Sequence, residues 1–119
     1  MHLGTGIPTR ILQFATLAVY PRSNCSEYYF RFAWTIDDSV ICVSQFEGVG
    51  ACHGDSGGPL VCDEVSSNGT ARKVLVGITS WGNRSCIGCP GVFTGVAAHL
   101  DYILDILASH SGIYPAYPK

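Results

Sequence analysis

A short glycine-rich stretch, Gly54–Pro59 with the sequence GDSGGP, holds the residues whose types and spacing could do chemistry. A serine nucleophile needs a sharp backbone turn that presents its hydroxyl, and nearby backbone N–H groups that hold a developing oxyanion. Glycines on both sides of Ser56 permit such a turn, because they have no Cβ to clash at unusual backbone angles. Asp55 adds a carboxylate beside the serine. The stretch therefore indicates acyl transfer, against the alternative of a plain glycine-rich connection between strands.

The same letters also satisfy the G-x-S-x-G pattern of the α/β-hydrolases. That pattern requires a strand, a sharp turn and then a helix. Here Pro59–Cys62 follows, and its residues PLVC are typical of a strand. The sequence thus disfavours an α/β-hydrolase.

Length and composition limit the other function classes. The 119 residues suffice for one domain, and the hydrophobic content of 47% allows a real core. Charged residues make up only 13%, the formal net charge is −2, and no block of like charge occurs, so no nucleic-acid partner is expected. No apolar run approaches the ~20 residues of a membrane span, so no membrane partner is expected. No cofactor is expected either.

Apolar runs and turn signals predict a mostly β fold. Ile11–Tyr20 predicts a strand buried on both faces, and it lacks the cleavage site of a signal peptide. Further strands are predicted at Val40–Ser44, Leu60–Val65, Val74–Trp81 and Val92–Thr94.

Two shorter features complete this pattern. Asn68-Gly69 is a strong signal for a hairpin turn between two of the strands. The aromatic-rich segment Cys25–Asp38 predicts irregular structure with one helical turn.

The end of the chain has a helical period. Leu100, Ile103, Leu104 and Leu107 fall on one face of a helix that Gly112 should end. Residues after it show no periodicity. The sequence predicts an N-terminal segment over residues 1–10, one domain over 11–108 and a loose tail over 109–119.

Several segments, in order and with matching spacing, resemble the chymotrypsin-like serine protease family. The resemblance runs from about Arg10 to Leu107. Its parts are the nucleophile segment Ala51–Cys62, the substrate-binding strand Val76–Gly82, the pocket-closing loop and strand with Cys86 and Pro90–Thr94, the stretch Ile36–Cys42 before the pocket loop, and the terminal helix Val96–Leu107.

The family fold is two packed β-barrels with the active site in the cleft between them. This chain resembles only the second barrel, so the implied fold class is all-β: a C-terminal β-barrel followed by a C-terminal α-helix. The general-base histidine and its orienting aspartate belong to the first barrel, and no segment here matches either. The activation cleavage site of the family has no match here either.

The resemblance implies a role for each matching residue. Ser56 would be the nucleophile, and the N–H groups of Gly54 and Ser56 would form the oxyanion hole. Asp55 would receive the new N-terminal ammonium that zymogen cleavage creates. The implied substrate-binding residues are Ser80, Trp81 and Gly82 along the substrate backbone, Gly50 at the pocket base, Gly82 and Gly91 in the pocket walls, and His53 at the rim.

The pocket base bears on specificity. Family members that cut after Arg or Lys carry an aspartate where this chain has Gly50. With glycines also at 82 and 91, an open, uncharged pocket is expected, which favours large apolar or aromatic substrate side chains.

Four histidines occur, and none has the context of the missing base. His99 follows two alanines, as in the family's histidine motif, but it lies where the terminal helix should begin and is expected on its surface. His53 is too near Ser56 in the chain for triad side chains that must meet tip to tip. His2 and His110 have no supporting context.

Six cysteines allow fifteen pairings. The resemblance selects Cys25–Cys42 and Cys52–Cys86. It leaves Cys62, whose family partner lies upstream of this chain, and Cys89, and these two could pair or stay free. Cys86 and Cys89 have the C-x₂-C spacing of zinc ligands, but no second matching pair occurs, so no metal is expected.

The cysteine content favours an extracellular or secretory-pathway location. Three glycosylation sequons also occur. The sequons begin at Asn24, Asn68 and Asn83, and Asn68 on the predicted hairpin turn is the best glycan candidate.

The resemblance implies a serine-type endopeptidase whose first barrel, with its histidine and aspartate, is missing from this chain. Its partners would be a polypeptide substrate or a protease inhibitor, together with the missing N-terminal barrel. Alone, residues 1–119 are expected to be inactive. The alternative is a non-catalytic protease homologue that binds a partner through the remaining cleft.

Overall fold

The computed structural model describes residues 10–83 and 85–110. Their order is helix α1 (Arg22–Phe30), strands β1 (Val40–Ser44), β2 (Pro59–Val65), β3 (Ala71–Trp81) and β4 (Pro90–Gly95), a 3₁₀ turn over Ala97–His99, and helix α2 (Leu100–Ser109). His2, Gly112 and most of the two predicted terminal segments lie outside the described residues.

The four strands form one antiparallel sheet in the order β1-β4-β3-β2. The sheet curls into a half-barrel that precedes the terminal helix, which confirms the predicted mostly β class. The register shifts between Leu60 and Val61 and again between Thr79 and Trp81. Such bulges bend a strand and re-aim its side chains, and these lie at the ends of β2 and β3 nearest Ser56.

The predicted hairpin joins β2 to β3. Val65 pairs with Ala71, and Gly69 has a φ of +83°, which a glycine adopts without strain. The Asn68 side-chain oxygen accepts the Thr70 N–H at 3.0 Å and so closes the turn. Asn68 itself is exposed.

The core lies between α1 and the β1–β4 side of the sheet. It contains the buried residues Cys25, Tyr29, Ile36, Cys42 and Val92. Cys25 and Tyr29 are one helical turn apart on the buried face of α1. This nine-residue helix is longer than the single turn that the sequence predicted. Its two buried residues are four positions apart, which is a helical spacing, but the polar residues around them obscure that spacing in the sequence.

The prediction of a buried strand at Ile11–Tyr20 is wrong. Val19 makes an isolated bridge with Val43, and the Tyr20 N–H donates to the Cys42 carbonyl. Leu12 and Phe14 are more than nine-tenths exposed. The described part of the chain offers this segment only one strand to pair with, whereas burial on both faces needs packing partners above and below.

Helix α2 forms as predicted, but its apolar stripe is not buried. Leu100, Leu104 and Leu107 are 45%, 53% and 39% exposed. His99 is exposed at the end of the 3₁₀ turn, as expected of a surface residue of the terminal helical segment. No helix among residues 10–83 and 85–110 combines the length and apolar character that crossing a bilayer requires.

Candidate functional site around Ser56

The loop before β2 consists of two tight turns that project Ser56. The Asp55 N–H donates to the Cys52 carbonyl at 3.0 Å, and the Gly58 N–H donates to the Asp55 carbonyl at 2.9 Å. Gly54 and Gly57 have φ values of +95° and +84°, a region in which side chains are strained. The glycines on both sides of Ser56 are thus required by the backbone, and Ser56 is exposed between them.

Strand β3 anchors this loop from the side. The Gly57 N–H donates to the Thr79 carbonyl, and the Thr79 N–H donates to the Gly58 carbonyl, both at 2.9 Å. The Thr79 hydroxyl makes a further bond of 3.1 Å to the Gly58 carbonyl. These bonds hold the loop next to Ser80–Gly82, so the predicted nucleophile and the predicted substrate strand lie side by side.

The half-buried Asp55 side chain points back into its own loop. Its carboxylate accepts the Cys52 N–H at 2.9 Å. This bond adds to the turn bond between the same residues, and a charged acceptor strengthens it. Asp55 therefore stabilises the loop that presents Ser56.

A cavity of about 240 Å³ opens beside Ser56. Its lining includes the predicted nucleophile and five of the predicted substrate-binding residues: Ser56, His53, Ser80, Trp81, Gly82 and Gly91. Gly50, Gly54 and Asp55 are not part of the lining. Of the histidines that the structure describes, only His53 lines the cavity.

Gln45, which the sequence reasoning missed, lines the cavity in place of Gly50. It directly follows β1 and is only 3% exposed. Its side-chain NH₂ donates to the carbonyls of Ala51 (3.2 Å) and Cys86 (2.6 Å), and its side-chain oxygen accepts the Ala51 N–H at 3.1 Å. An amide at the end of a short apolar strand, five residues before the predicted pocket base Gly50, was the available signal.

Both predicted disulfides are confirmed. Cys25–Cys42 joins α1 to β1, and Cys52–Cys86 joins the Ser56 loop to the loop before β4. Cys62 is exposed on β2 and Cys89 is buried, and neither forms a disulfide. The sulfurs of Cys52 and Cys86 lie near the His53 ring. A disulfide supplies no thiolate for a metal, so neither this cluster nor the C-x₂-C spacing offers a zinc site.

The other sequons lie in different settings. Asn24 is exposed on α1. Asn83 lines the cavity and its side-chain oxygen accepts the Ser85 N–H at 3.2 Å. A glycan on Asn83 would extend from the cavity wall.

An aromatic cluster supports the cavity wall from behind. The Tyr29 ring contacts Trp34 and Trp81, with centroids 5.5 and 4.9 Å away, and its hydroxyl donates a hydrogen bond to the Pro90 carbonyl. Burial raises the pKa of Tyr29 well above its ordinary value, and the neighbouring Cys89 and Tyr28 raise it further. The buried ring thus holds Trp81 and the start of β4 together.

Removing the Tyr29 hydroxyl should destabilise the fold in a pH-dependent way. Tyr29→Phe leaves the Pro90 carbonyl without this donor, which costs about 1–3 kcal/mol at pH 7. Because the folded-state pKa lies above the unfolded value of about 10, the hydroxyl's stabilisation is complete below pH 10 and declines above it. Urea denaturation from pH 7 to 11 should show the wild-type and Tyr29→Phe midpoints converging at high pH. Tyr102→Phe, at an exposed tyrosine of α2, is the matched control, and a constant gap would contradict the assignment.

Residues 2–103 match the family model described as Trypsin. Kallikrein-8 of Homo sapiens is 37% identical over 100 residues, which cover 82% of this chain and 34% of that protein. Melanization protease 1 of Drosophila melanogaster is 37% identical over 101 residues, covering 83% of this chain and 25% of that protein.

A third relative is named as an inhibitor and not as a protease. Glucanase inhibitor protein 3 of Phytophthora infestans is 32% identical over 106 residues, covering 86% of this chain and 38% of that protein. The chain thus spans well under half the length of these relatives. The family match extends over nearly all of this chain, and the chain belongs to the trypsin family of chymotrypsin-like serine proteases.

Proposed function

We propose that this chain is the serine-bearing part of a secreted serine endopeptidase, with Ser56 as its nucleophile. The observation that carries the proposal is the exposed Ser56, held by two glycine turns against the Thr79 end of β3 and opening onto a cavity. The two disulfides support an oxidising, secretory-pathway location.

In this mechanism the Ser56 hydroxyl oxygen attacks the carbonyl carbon of the scissile peptide bond. The N–H groups of Gly54 and Ser56 donate to the oxygen that becomes negatively charged. The substrate backbone lies along Ser80–Gly82, and its side chain enters the cavity between Gly82 and Gly91. Family membership supports a polypeptide substrate or inhibitor as the ligand of this cleft.

The proton of Ser56 has to pass to a base. His53 lies only three residues before Ser56 on the same tight loop, so we assign the base and its orienting carboxylate to a first barrel in a longer product. The same barrel would provide the other wall of the cleft. The assignment of Asp55 as the acceptor of an activation ammonium belongs to this proposal, and docking of that ammonium would compete with the Cys52 N–H for the carboxylate.

A non-catalytic binding role is the second candidate. It is favoured by the single histidine among the described cavity-lining residues, and by a relative whose name is that of an inhibitor. In that role the cleft binds a polypeptide without cleaving it, and Ser56 needs no base.

Labelling of the native protein separates the two roles. The product carrying this sequence is captured from its source with an antibody against residues 63–75, after reaction of the extract with a biotinylated fluorophosphonate. We expect mass spectrometry to find the label on Ser56, and boiling before the reaction to abolish it. A folded product that contains a first barrel and a histidine motif, yet carries no label, would contradict catalysis and favour the binding role.

A further inference from the structure

We propose that Gln45 forms the floor of the cavity and restricts it to short, uncharged substrate side chains, excluding aromatic and basic ones. The inference rests on the proposed function, since it concerns the substrate side chain that enters the Ser56 cleft. It replaces the expectation of a deep, open pocket that the glycines at 50 and 91 suggested.

The side chain of Gln45 fills the space that those glycines leave. A Cβ at Gly50 would lie 2.6 Å from Gln45 Nε2, and a Cβ at Gly91 would lie 2.7 Å from Gln45 Cδ. Neither glycine has the positive φ that would explain its lack of a side chain by backbone conformation. Both positions therefore accommodate Gln45, and the depth that they would have added to the pocket is occupied.

This floor is held firmly. Both side-chain N–H donors of Gln45 are used, by Ala51 and Cys86, and its oxygen accepts from Ala51. Its own carbonyl accepts the Gly88 N–H at 3.0 Å. Swinging the side chain aside for a large substrate group would leave these buried polar groups unpaired, which opposes an induced opening.

The charges around the cavity also favour uncharged substrate side chains. No aspartate or glutamate occurs among the described residues that line the cavity, so a bound Arg or Lys side chain would be a buried charge without a partner. The carboxamide oxygen retains a second lone pair, which a short hydroxyl or amide on the substrate can use. Ala, Val, Thr and Asn side chains fit these conditions better than Phe, Tyr, Arg or Lys.

Fragment binding by NMR tests this on the full 119-residue chain with both disulfides formed. The probes are isobutyramide (short, uncharged), p-cresol (aromatic) and benzamidine (aromatic cation), titrated while the amide signals of Gly82 and Gly91 are followed. We expect the wild type to bind isobutyramide more tightly than p-cresol, and benzamidine most weakly. Gln45→Ala should tighten p-cresol binding by about tenfold, comparable to burying roughly two more methylene groups.

Gln45→Met is the matched control, because it fills similar space without the hydrogen bonds. It should still exclude p-cresol, so that only Gln45→Ala inverts the preference. If Gln45 had only a structural role, both variants would be less stable but would still prefer isobutyramide to p-cresol. That result would overturn the proposal. If Gln45→Ala does not fold, the wild type decides the matter: a preference for p-cresol, with nuclear Overhauser contacts to Gly50, refutes the inference.

This result is separate from the test of the proposed function. Fragment selectivity does not need an activated serine, so the order of fragment affinities can be measured whether or not Ser56 reacts with a fluorophosphonate. Absence of fluorophosphonate label on the native product would refute catalysis and leave the result on Gln45 unaffected. A labelled native product together with a preference for p-cresol would refute only the role of Gln45.

Discussion

Residues 1–119 alone, folded with both disulfides, should not react stoichiometrically with a fluorophosphonate at Ser56. A serine hydroxyl becomes a good nucleophile at neutral pH only when a positioned base takes its proton. Serine protease triads act as a unit, and loss of the base lowers kcat by about 10⁶. Of the described histidines only His53 lines the cavity, on the same tight loop as Ser56. Intact-mass spectrometry after several hours with excess probe should show almost entirely unmodified chain.

Two controls make this result interpretable. An active trypsin-family protease in the same tube should be labelled fully within minutes, which shows that the probe is competent. Ser56→Ala should match the wild-type background. Stoichiometric labelling that disappears in Ser56→Ala would contradict the expectation, and His53→Ala would then show whether His53 provides the base.

Removing the Cys52–Cys86 disulfide should cost more stability than removing either the Cys25–Cys42 disulfide or the Tyr29 hydroxyl. The bond joins two cysteines that are 34 residues apart in the sequence. In the chain-entropy description, opening a loop of that length frees the unfolded chain and lowers the stability of the fold by about 4 kcal/mol. Cys25–Cys42, with a separation of 17 residues, should contribute about 3 kcal/mol. A total stability of roughly 5–15 kcal/mol for a domain makes either loss severe.

The measurement is guanidinium denaturation of the paired serine variants Cys52→Ser/Cys86→Ser and Cys25→Ser/Cys42→Ser. Cys62→Ser is the control, because Cys62 is exposed and forms no disulfide among the described residues. Its midpoint should equal that of the wild type. Equal stability of the Cys52→Ser/Cys86→Ser variant and the control would mean that the hydrogen bonds of Gln45 alone hold the two loops together.

Sequence alone identified the Ser56 loop, the β2–β3 hairpin and the terminal helix. These features depend on local rules. Glycines at 54 and 57 occupy backbone angles that other residues avoid, Asn68-Gly69 closes a two-strand turn, and the leucines of α2 recur with the helical period. The two disulfide pairings came from the family resemblance rather than from local rules.

Burial was decided only by the tertiary structure. The composition of Ile11–Tyr20 is that of a buried strand, yet its side chains are largely exposed because only β1 pairs with it in the described structure. The α2 stripe is likewise periodic but exposed. An apolar pattern indicates which face of a helix or strand should be buried. Which other element covers that face depends on the whole fold.

The form of the pocket also depended on tertiary contacts. Gly50 and Gly91 predicted an open pocket, because a position without a side chain leaves space when each position of the sequence is considered separately. Gln45 is five positions from Gly50 and 46 from Gly91, and only the pairing of β1 with β4 brings its amide between them. Sequence therefore determined where the chemistry lies, and tertiary packing determined what space remains beside it, because volume in a folded protein is filled by whichever side chain the fold brings there.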